Sequence, residues 1–126
     1  MVKLGLKYGL PFCSIKISFQ GKELIINNVL LDTGSGSTVL KMDIVEEIGI
    51  LINEEDSIET IEGIGGIEFV YKKYIDYLAI GELELHNFKV EIGVMDYGFD
   101  INGIIGMDFL GKVDAIIDLK NLRLLK

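Results

Sequence analysis

Residues 13–19 alternate strictly between apolar and polar side chains, and this period of two constrains the fold more than any other feature of the chain. Such alternation is typical of a β-strand with one buried face. The 126 residues also include 20 Ile and 8 Val but only 2 Ala, and β-branched side chains favour strands over helices. The sequence therefore predicts a mostly β protein.

A second predicted strand, residues 24–31, runs directly into a polar, glycine-rich turn at residues 32–37. The first residue of that turn is Asp32, so a carboxylate stands where a buried strand ends. An unpaired charge is costly in such a place, which suggests a chemical role. The alternative is that Asp32 only stabilises the turn, as Asp often does.

The other predicted elements are short. Asp43 and Glu46 have the spacing of a capping box, and Gly49 is a typical C-terminal stop, so a helix is expected at 43–48. His86 is interpreted as a turn residue between two strands and not as a catalyst. Further strands are expected at 58–61, 67–71, 74–80, 83–85, 88–92, 113–117 and 122–125, with a helical turn at 107–110.

Charge and composition make several function classes improbable. The net charge is -8 and Arg123 is the only arginine, so nucleic-acid binding is not expected. Cys13 is the only cysteine, so no internal disulfide can form, and His86 is the only histidine, so there is no cysteine–histidine cluster. Zinc chemistry and Ser-His or Cys-His catalysis are therefore not expected. No apolar run reaches the ~18 residues of a membrane span, and residues 1–10 do not resemble a signal peptide. We therefore expect no membrane association, and either a cytoplasmic location or a domain of a longer protein.

Three sequence blocks, in this order, resemble those of retropepsin-like aspartic proteases. Asp32-Thr33-Gly34-Ser35 is similar to the active-site segment of that family. Gly63-Ile64-Gly65-Gly66, within residues 61–69, resembles the tip of the flap, and Gly103-Ile104-Ile105-Gly106 resembles the segment that passes behind the catalytic loop. The resemblance extends from about Phe12 to the C-terminus. The length of 126 residues predicts one domain, 1–126. The resemblance implies an all-β closed barrel of the acid-protease fold with one or two short helices.

The resemblance also implies a function and assigns roles to residues. Asp32 would be the catalytic residue, Thr33 would bond across a two-fold axis, and the Ser35 hydroxyl would donate to the Asp32 carboxylate. Residues Ile104, Ile105 and Gly106 would support the loop, and the flap would close over a peptide. The chemistry requires two carboxylates and the chain supplies one, so the expected enzyme is a homodimeric aspartic endopeptidase. It would cleave extended peptides at mainly apolar positions, with no metal or organic cofactor.

Some features depart from the family pattern or leave another function open. Met107 stands where retroviral members carry an arginine, so their dimer-stabilising ion pairs cannot be assumed. We expect residues 2–12 and 122–126 to hold the dimer by pairing as strands. The main alternative is a catalytically silent peptide-binding or dimerisation module of the same fold. A third reading is an unrelated β-barrel whose glycine-rich loop binds an anion.

Overall fold

The computed structural model describes residues 1–63 and 66–126 and confirms a mostly β protein. The described residues form eleven strands, two α-helices of four residues each and one 3-10 turn. None of their helices has the length and apolarity needed to cross a membrane. The elements are β1 (Val2–Lys3), β2 (Gly5–Lys7), β3 (Leu10–Phe19), β4 (Lys22–Leu31), β5 (Val39–Lys41), α1 (Met42–Val45) with the 3-10 turn Glu46–Ile48, β6 (Ile58–Gly63), β7 (Gly66–Ile80), β8 (Leu83–Gly93), β9 (Gly103–Ile105), α2 (Met107–Leu110), β10 (Ile116–Asp118) and β11 (Arg123–Leu125).

Eight of these strands form one sheet that bends back on itself. Their order is β2-β3-β4-β9-β5-β8-β7-β6, and β3 also pairs with β7. The additional pairing joins residues 16–18 to residues 77–79, so the hydrogen bonds run in a ring through β3, β4, β9, β5, β8 and β7. A ring of this kind leaves only β2 and β6 as edge strands of the sheet.

Two groups of buried apolar side chains stabilise the ring. The larger group fills its interior and includes Ile17, Leu40, Leu78, Ile92 and Phe109, all with no measurable exposure. Burying a side chain of this size contributes about 1.5–3 kcal/mol. The smaller group comprises Phe12, Leu30, Val39, Val70, Met95, Ile101 and Ile104. It includes Leu30, which lies two residues before Asp32, and Ile104, which pairs with Leu30 from β9. This group therefore packs beside the candidate site.

Strands β7 and β8 are longer than predicted. The sequence predicts two shorter strands in place of each, but the β7–β8 ladder is antiparallel from Val70↔Gly93 to Ile80↔Leu83. His86 therefore lies within β8 opposite Tyr77, and its placement in a turn is wrong. Asn87 adopts a left-handed conformation, with φ of 50°, which asparagine tolerates better than most residues. His86 and Asn87 are therefore exposed polar residues within β8, and the β7–β8 ladder continues on both sides of them.

The short helical segment is placed as predicted, but its start is not formed by a capping box. Lys41 is the N-cap of α1 and no side chain caps the helix, so the predicted role of Asp43 and Glu46 is wrong. The reason is that β5 continues to Lys41 and leads into the helix without a loop. Asp43 lies in the first turn, where its charge still interacts favourably with the helix dipole. Gly49 ends the segment with φ of 87°, as its sequence position indicated.

Both chain termini belong to a small sheet formed within one chain. β11 is its central strand, paired with β1 on one side and β10 on the other. Val2 faces Leu124, and the Leu4 amide donates to the Leu122 carbonyl at 2.8 Å. Strand β2 pairs with residues 10–12 of the same chain. Parts of both terminal segments therefore pair within the chain, and pairing of these segments with a second chain stays a prediction.

Candidate active site

Asp32 directly follows β4 and is held by the neighbouring strand β9. The two strands are parallel, with Leu30 beside Ile104 and Leu31 beside Ile105. The Asp32 amide continues this pattern by donating to the Ile105 carbonyl at 2.9 Å. The segment that the sequence indicated as a support therefore fixes the backbone from which the Asp32 carboxylate projects.

The turn after Asp32 is closed by its own backbone. The Ser35 amide donates to the Asp32 carbonyl at 3.1 Å, and the Gly34 amide donates to the carboxylate atom Oδ1 at 2.9 Å. A Cβ at position 34 would lie 3.1 Å from that same oxygen, so glycine permits the close approach. Asp32 is half-buried and Thr33 is exposed. The loop thus orients the carboxylate and leaves Thr33 accessible.

The Ser35 side chain does not make the hydrogen bond that the resemblance implied. Its hydroxyl donates to the Ser37 carbonyl at 2.7 Å. A serine hydroxyl has one proton, so it cannot at the same time donate to Asp32. In this structure Ser35 stabilises the shape of the loop, and the Gly34 amide is the donor to the carboxylate.

Gly106 lies against the back of the same loop. A Cβ at this position would lie 2.4 Å from the Ser37 carbonyl oxygen and 2.8 Å from that of Ser35. These are backbone atoms, which cannot rotate away. The next residue, Met107, donates its amide to the Ser35 carbonyl at 2.8 Å. Glycine at 106 therefore allows the 104–107 segment to hold the loop by direct backbone contact.

Asp108 reinforces this contact, although the sequence did not single it out as a site residue. Its two carboxylate oxygens accept from Thr38, at 3.1 Å from the amide and 2.8 Å from the hydroxyl. The hydroxyl oxygen of Thr38 in turn accepts from the Gly106 amide at 3.2 Å. The only sequence signal for this role is an acidic residue two positions after Gly106, and the sequence does not show that it meets Thr38.

The Asp32 carboxylate and the β6–β7 hairpin line one cavity of about 50 Å³. Its walls include, from the loop, Asp32, Gly34 and Ser35, and from the hairpin, Ile61, Glu62, Gly66 and Glu68. Gly63 and Gly66 face each other where the described parts of the hairpin end, and Gly66 has φ of 92°, a conformation that favours glycine. The other two predicted flap residues, Ile64 and Gly65, lie outside the described residues.

Glu68 is a cavity residue that the sequence did not reveal. One of its carboxylate oxygens accepts from the Met95 amide at 2.9 Å, and the other accepts from the Tyr97 hydroxyl. Burial, aided by this hydrogen bond to Glu68, raises the pKa of Tyr97. Tyr97 thus stays protonated and donates at any physiological pH. These bonds connect strand β7 to the segment between β8 and β9, a contact that no local pattern could predict.

Comparisons with known proteins agree with the geometry. The model of the family described as "gag-polyprotein putative aspartyl protease" matches residues 15–112. The fold is similar to that of a retropepsin-like aspartic protease from Rickettsia conorii, with 18% sequence identity and a TM-score of 0.69. That alignment covers 99% of this chain and 97% of the other. No curated protein matches the sequence. The fold is therefore retropepsin-like, as the three sequence blocks indicated.

Proposed function

Because the chain belongs to the family of gag-polyprotein aspartyl proteases, we propose that it is a homodimeric aspartic endopeptidase that hydrolyses peptide bonds in extended polypeptides. One observation carries the proposal. The Asp32 carboxylate, oriented by the Gly34 amide, lines a cavity whose opposite wall is a β-hairpin. A carboxylate beneath a hairpin can act on a peptide chain lying between them.

The homodimer follows from the chemistry of two carboxylates. Aspartic-protease catalysis needs one ionised and one protonated carboxyl group close together. The motif around Asp32 occurs once in this sequence, so the second group would be Asp32 of another copy. A two-fold axis beside the loop would bring the two residues together, and the exposed Thr33 would contact its counterpart there.

In the proposed reaction, the ionised carboxylate accepts a proton from a water molecule as the water oxygen attacks the scissile carbonyl carbon. The protonated carboxyl group donates its proton to the carbonyl oxygen, which gives a neutral tetrahedral intermediate. The newly protonated carboxyl group then donates its proton to the amide nitrogen while the other carboxylate accepts a proton from a hydroxyl group of the intermediate, the C–N bond breaks, and an acid and an amine are released. One proton again remains shared between the two carboxyl groups.

The substrate would bind as an extended strand between the Asp32 loops and the β6–β7 hairpins. Edge strand β6 and the hairpin backbone can donate and accept hydrogen bonds along such a chain. Closure of the hairpin would exclude bulk water from the reacting groups. The cytoplasmic location expected from the sequence stays a prediction.

The proposal is tested by incubating the purified chain with a peptide library and detecting cleavage by mass spectrometry. We expect internal cleavage that a pepstatin-type inhibitor blocks and that Asp32→Asn abolishes. Asp43→Asn, at an exposed position of α1, is the matched control and should cleave normally. If the wild type binds library peptides but leaves them intact, the chain is a silent peptide-binding module instead.

A further inference from the structure

We infer that Glu68 selects a basic side chain, Lys or Arg, in the peptides that this site accepts, an inference that rests on the proposed function for its meaning. Glu68 belongs to the wall of the Asp32 cavity. A substrate residue that enters the cavity therefore meets Glu68 as well as Asp32, and Glu62, an exposed residue, also lines the cavity. Since the proposed dimer has two such cavities, the selection would operate on both sides of the scissile bond.

The Glu68 carboxylate is held in one position before any ligand arrives. Both of its oxygens are hydrogen-bonded, one to the Met95 amide and the other to the Tyr97 hydroxyl. The group also lies over Gly93, where a Cβ would be 2.9 Å from the Glu68 Cδ. Glycine at 93 thus provides the space that the carboxylate occupies. A charge fixed in this way loses little conformational freedom on binding a cation.

The groups that hold Glu68 are uncharged, so its negative charge is not neutralised by them. An amide and a hydroxyl stabilise a carboxylate but leave its net charge unchanged. Among the described residues, the lining of the cavity includes no Lys, Arg or His. Each carboxylate oxygen can accept more than one hydrogen bond, so a substrate ammonium or guanidinium group can bind without displacing Met95 or Tyr97.

The cavity, with a volume of about 50 Å³, admits the charged end of a Lys or Arg side chain and the methylene groups nearest to it. Val39, Ile61 and Ile104 line the cavity together with Glu68. Long basic side chains commonly place their methylene groups on apolar surface and their charge at a polar end. This arrangement refines the expectation of mainly apolar cleavage positions, because the apolar walls would bind the stem while Glu68 binds the head.

The experiment compares peptides that contain Lys or norleucine at one position, scanned through four residues on each side of the cleavage site. Norleucine keeps the aliphatic chain and removes the charge. We expect wild type to prefer Lys at one or more positions by at least about tenfold in kcat/KM, the usual effect of a hydrogen bond to a charged group. Glu68→Gln, which keeps the shape and can still bond to Met95 and Tyr97, should lower that ratio about tenfold.

Two further variants separate the charge of Glu68 from its structural role. Tyr97→Phe removes one hydrogen bond but keeps the charge, so the preference for Lys should persist. Glu82→Gln removes a charge at an exposed turn position and should leave the ratio unchanged. Equal Lys and norleucine rates in wild type, or a ratio that Glu68→Gln does not alter, would overturn the inference.

A binding measurement distinguishes failure of this inference from failure of the proposed protease activity. The Asp32→Asn protein is titrated with fluorescent Lys and norleucine peptides, with and without Glu68→Gln, and anisotropy is recorded. A Lys preference that depends on Glu68 supports the inference even if the wild type cleaves nothing. Cleavage together with a norleucine affinity equal to that for Lys would support the protease and reject the role of Glu68.

Discussion

The loop that carries Asp32 depends on two small residues, Gly106 and Ser35. Gly106 gives the loop a close backbone neighbour, and the Ser35 hydroxyl fixes its inner turn through the Ser37 carbonyl. Neither residue donates to the Asp32 carboxylate, which accepts a hydrogen bond from the Gly34 amide instead. Both residues are therefore expected to act on catalysis through the position of the loop.

Gly106→Ala should displace the catalytic loop. The added Cβ would lie 2.4 Å from the Ser37 carbonyl oxygen, and relieving overlap in a packed interior typically costs about 1–3 kcal/mol. We expect a loss of that size in urea unfolding and a large drop in kcat/KM. Gly5→Ala is the control for stability, because its Cβ would have no neighbour within 4 Å. Equal stability of the two variants would contradict the packing described for Gly106.

Ser35→Ala should not change the pH dependence of kcat/KM. A dyad that shares one proton gives a bell-shaped profile. The Ser35 hydroxyl donates to Ser37 and not to the carboxylate, so its removal does not change the charge balance directly. We expect a loss of about 0.5–1.5 kcal/mol in stability and a profile of kcat/KM that superimposes on that of wild type. A profile displaced to higher pH would show that the hydroxyl contacts Asp32 during the reaction.

Among the elements, the β10–β11 hairpin carries the clearest dependence on pH. The Asn121 side chain and amide, together with Arg123, donate to Asp118. These hydrogen bonds, with the Asn121 side chain making the largest contribution, lower the pKa of Asp118 to about 2. A carboxyl group whose pKa is lower in the folded state stabilises that state above its ordinary pKa. The contribution disappears as the pH falls towards 2.

Asp118→Asn should therefore lower the Tm at pH 6 but have a diminishing effect as the pH falls from about 4 to 2. The ionised carboxylate of wild-type Asp118 stabilises the folded state at pH 6, and this contribution to stability is lost once Asp118 is protonated. Thermal unfolding followed by circular dichroism at pH 6, 4 and 2 measures the difference. Glu82→Gln, at an exposed turn position, serves as the control for loss of a surface charge. A Tm difference that stayed constant across this range would contradict the assigned cause.

At the scale of the whole molecule, the terminal sheet and the proposed dimer are separate features. Strands β1, β11 and β10 pair within one chain, so the terminal sheet has hydrogen bonds of its own that do not depend on a second chain. The site, in contrast, has one Asp32 per chain and would need a partner. Dissociation of the dimer should therefore abolish activity without unfolding the terminal sheet.

Dilution provides the test of this separation. Specific activity should fall as the protein concentration drops below the dimer dissociation constant, while hydrogen exchange of the Leu4 amide stays the same. That amide donates to Leu122 of its own chain at 2.8 Å. Light scattering identifies the oligomer at each concentration. An active monomer would exclude the two-carboxylate mechanism, and Leu4 exchange that accelerates with dissociation would show that the termini pair between chains.

The sequence by itself determined the features that depend on neighbouring residues. The alternation at 13–19 indicated β3, because side chains in a strand point alternately to opposite faces. The strand leading into Asp32 and the end of the helical segment at Gly49 were likewise predictable, since strand periodicity and glycine turns are local properties.

Only the tertiary structure decided which distant groups meet. Thr38 and Asp108 are 70 residues apart, and Glu68 and Tyr97 are 29 apart, yet each pair forms a hydrogen bond that shapes the site. The same holds for His86, which lies within β8 because Tyr77 pairs with it across the ladder. The direction of the Ser35 hydroxyl and the pairing of the two termini also depend on how the folded chain brings donors to acceptors. A hydrogen bond requires a donor–acceptor distance within a few tenths of an ångström and a nearly linear angle. For groups far apart in the chain, only the packed ring of strands determines that distance and angle.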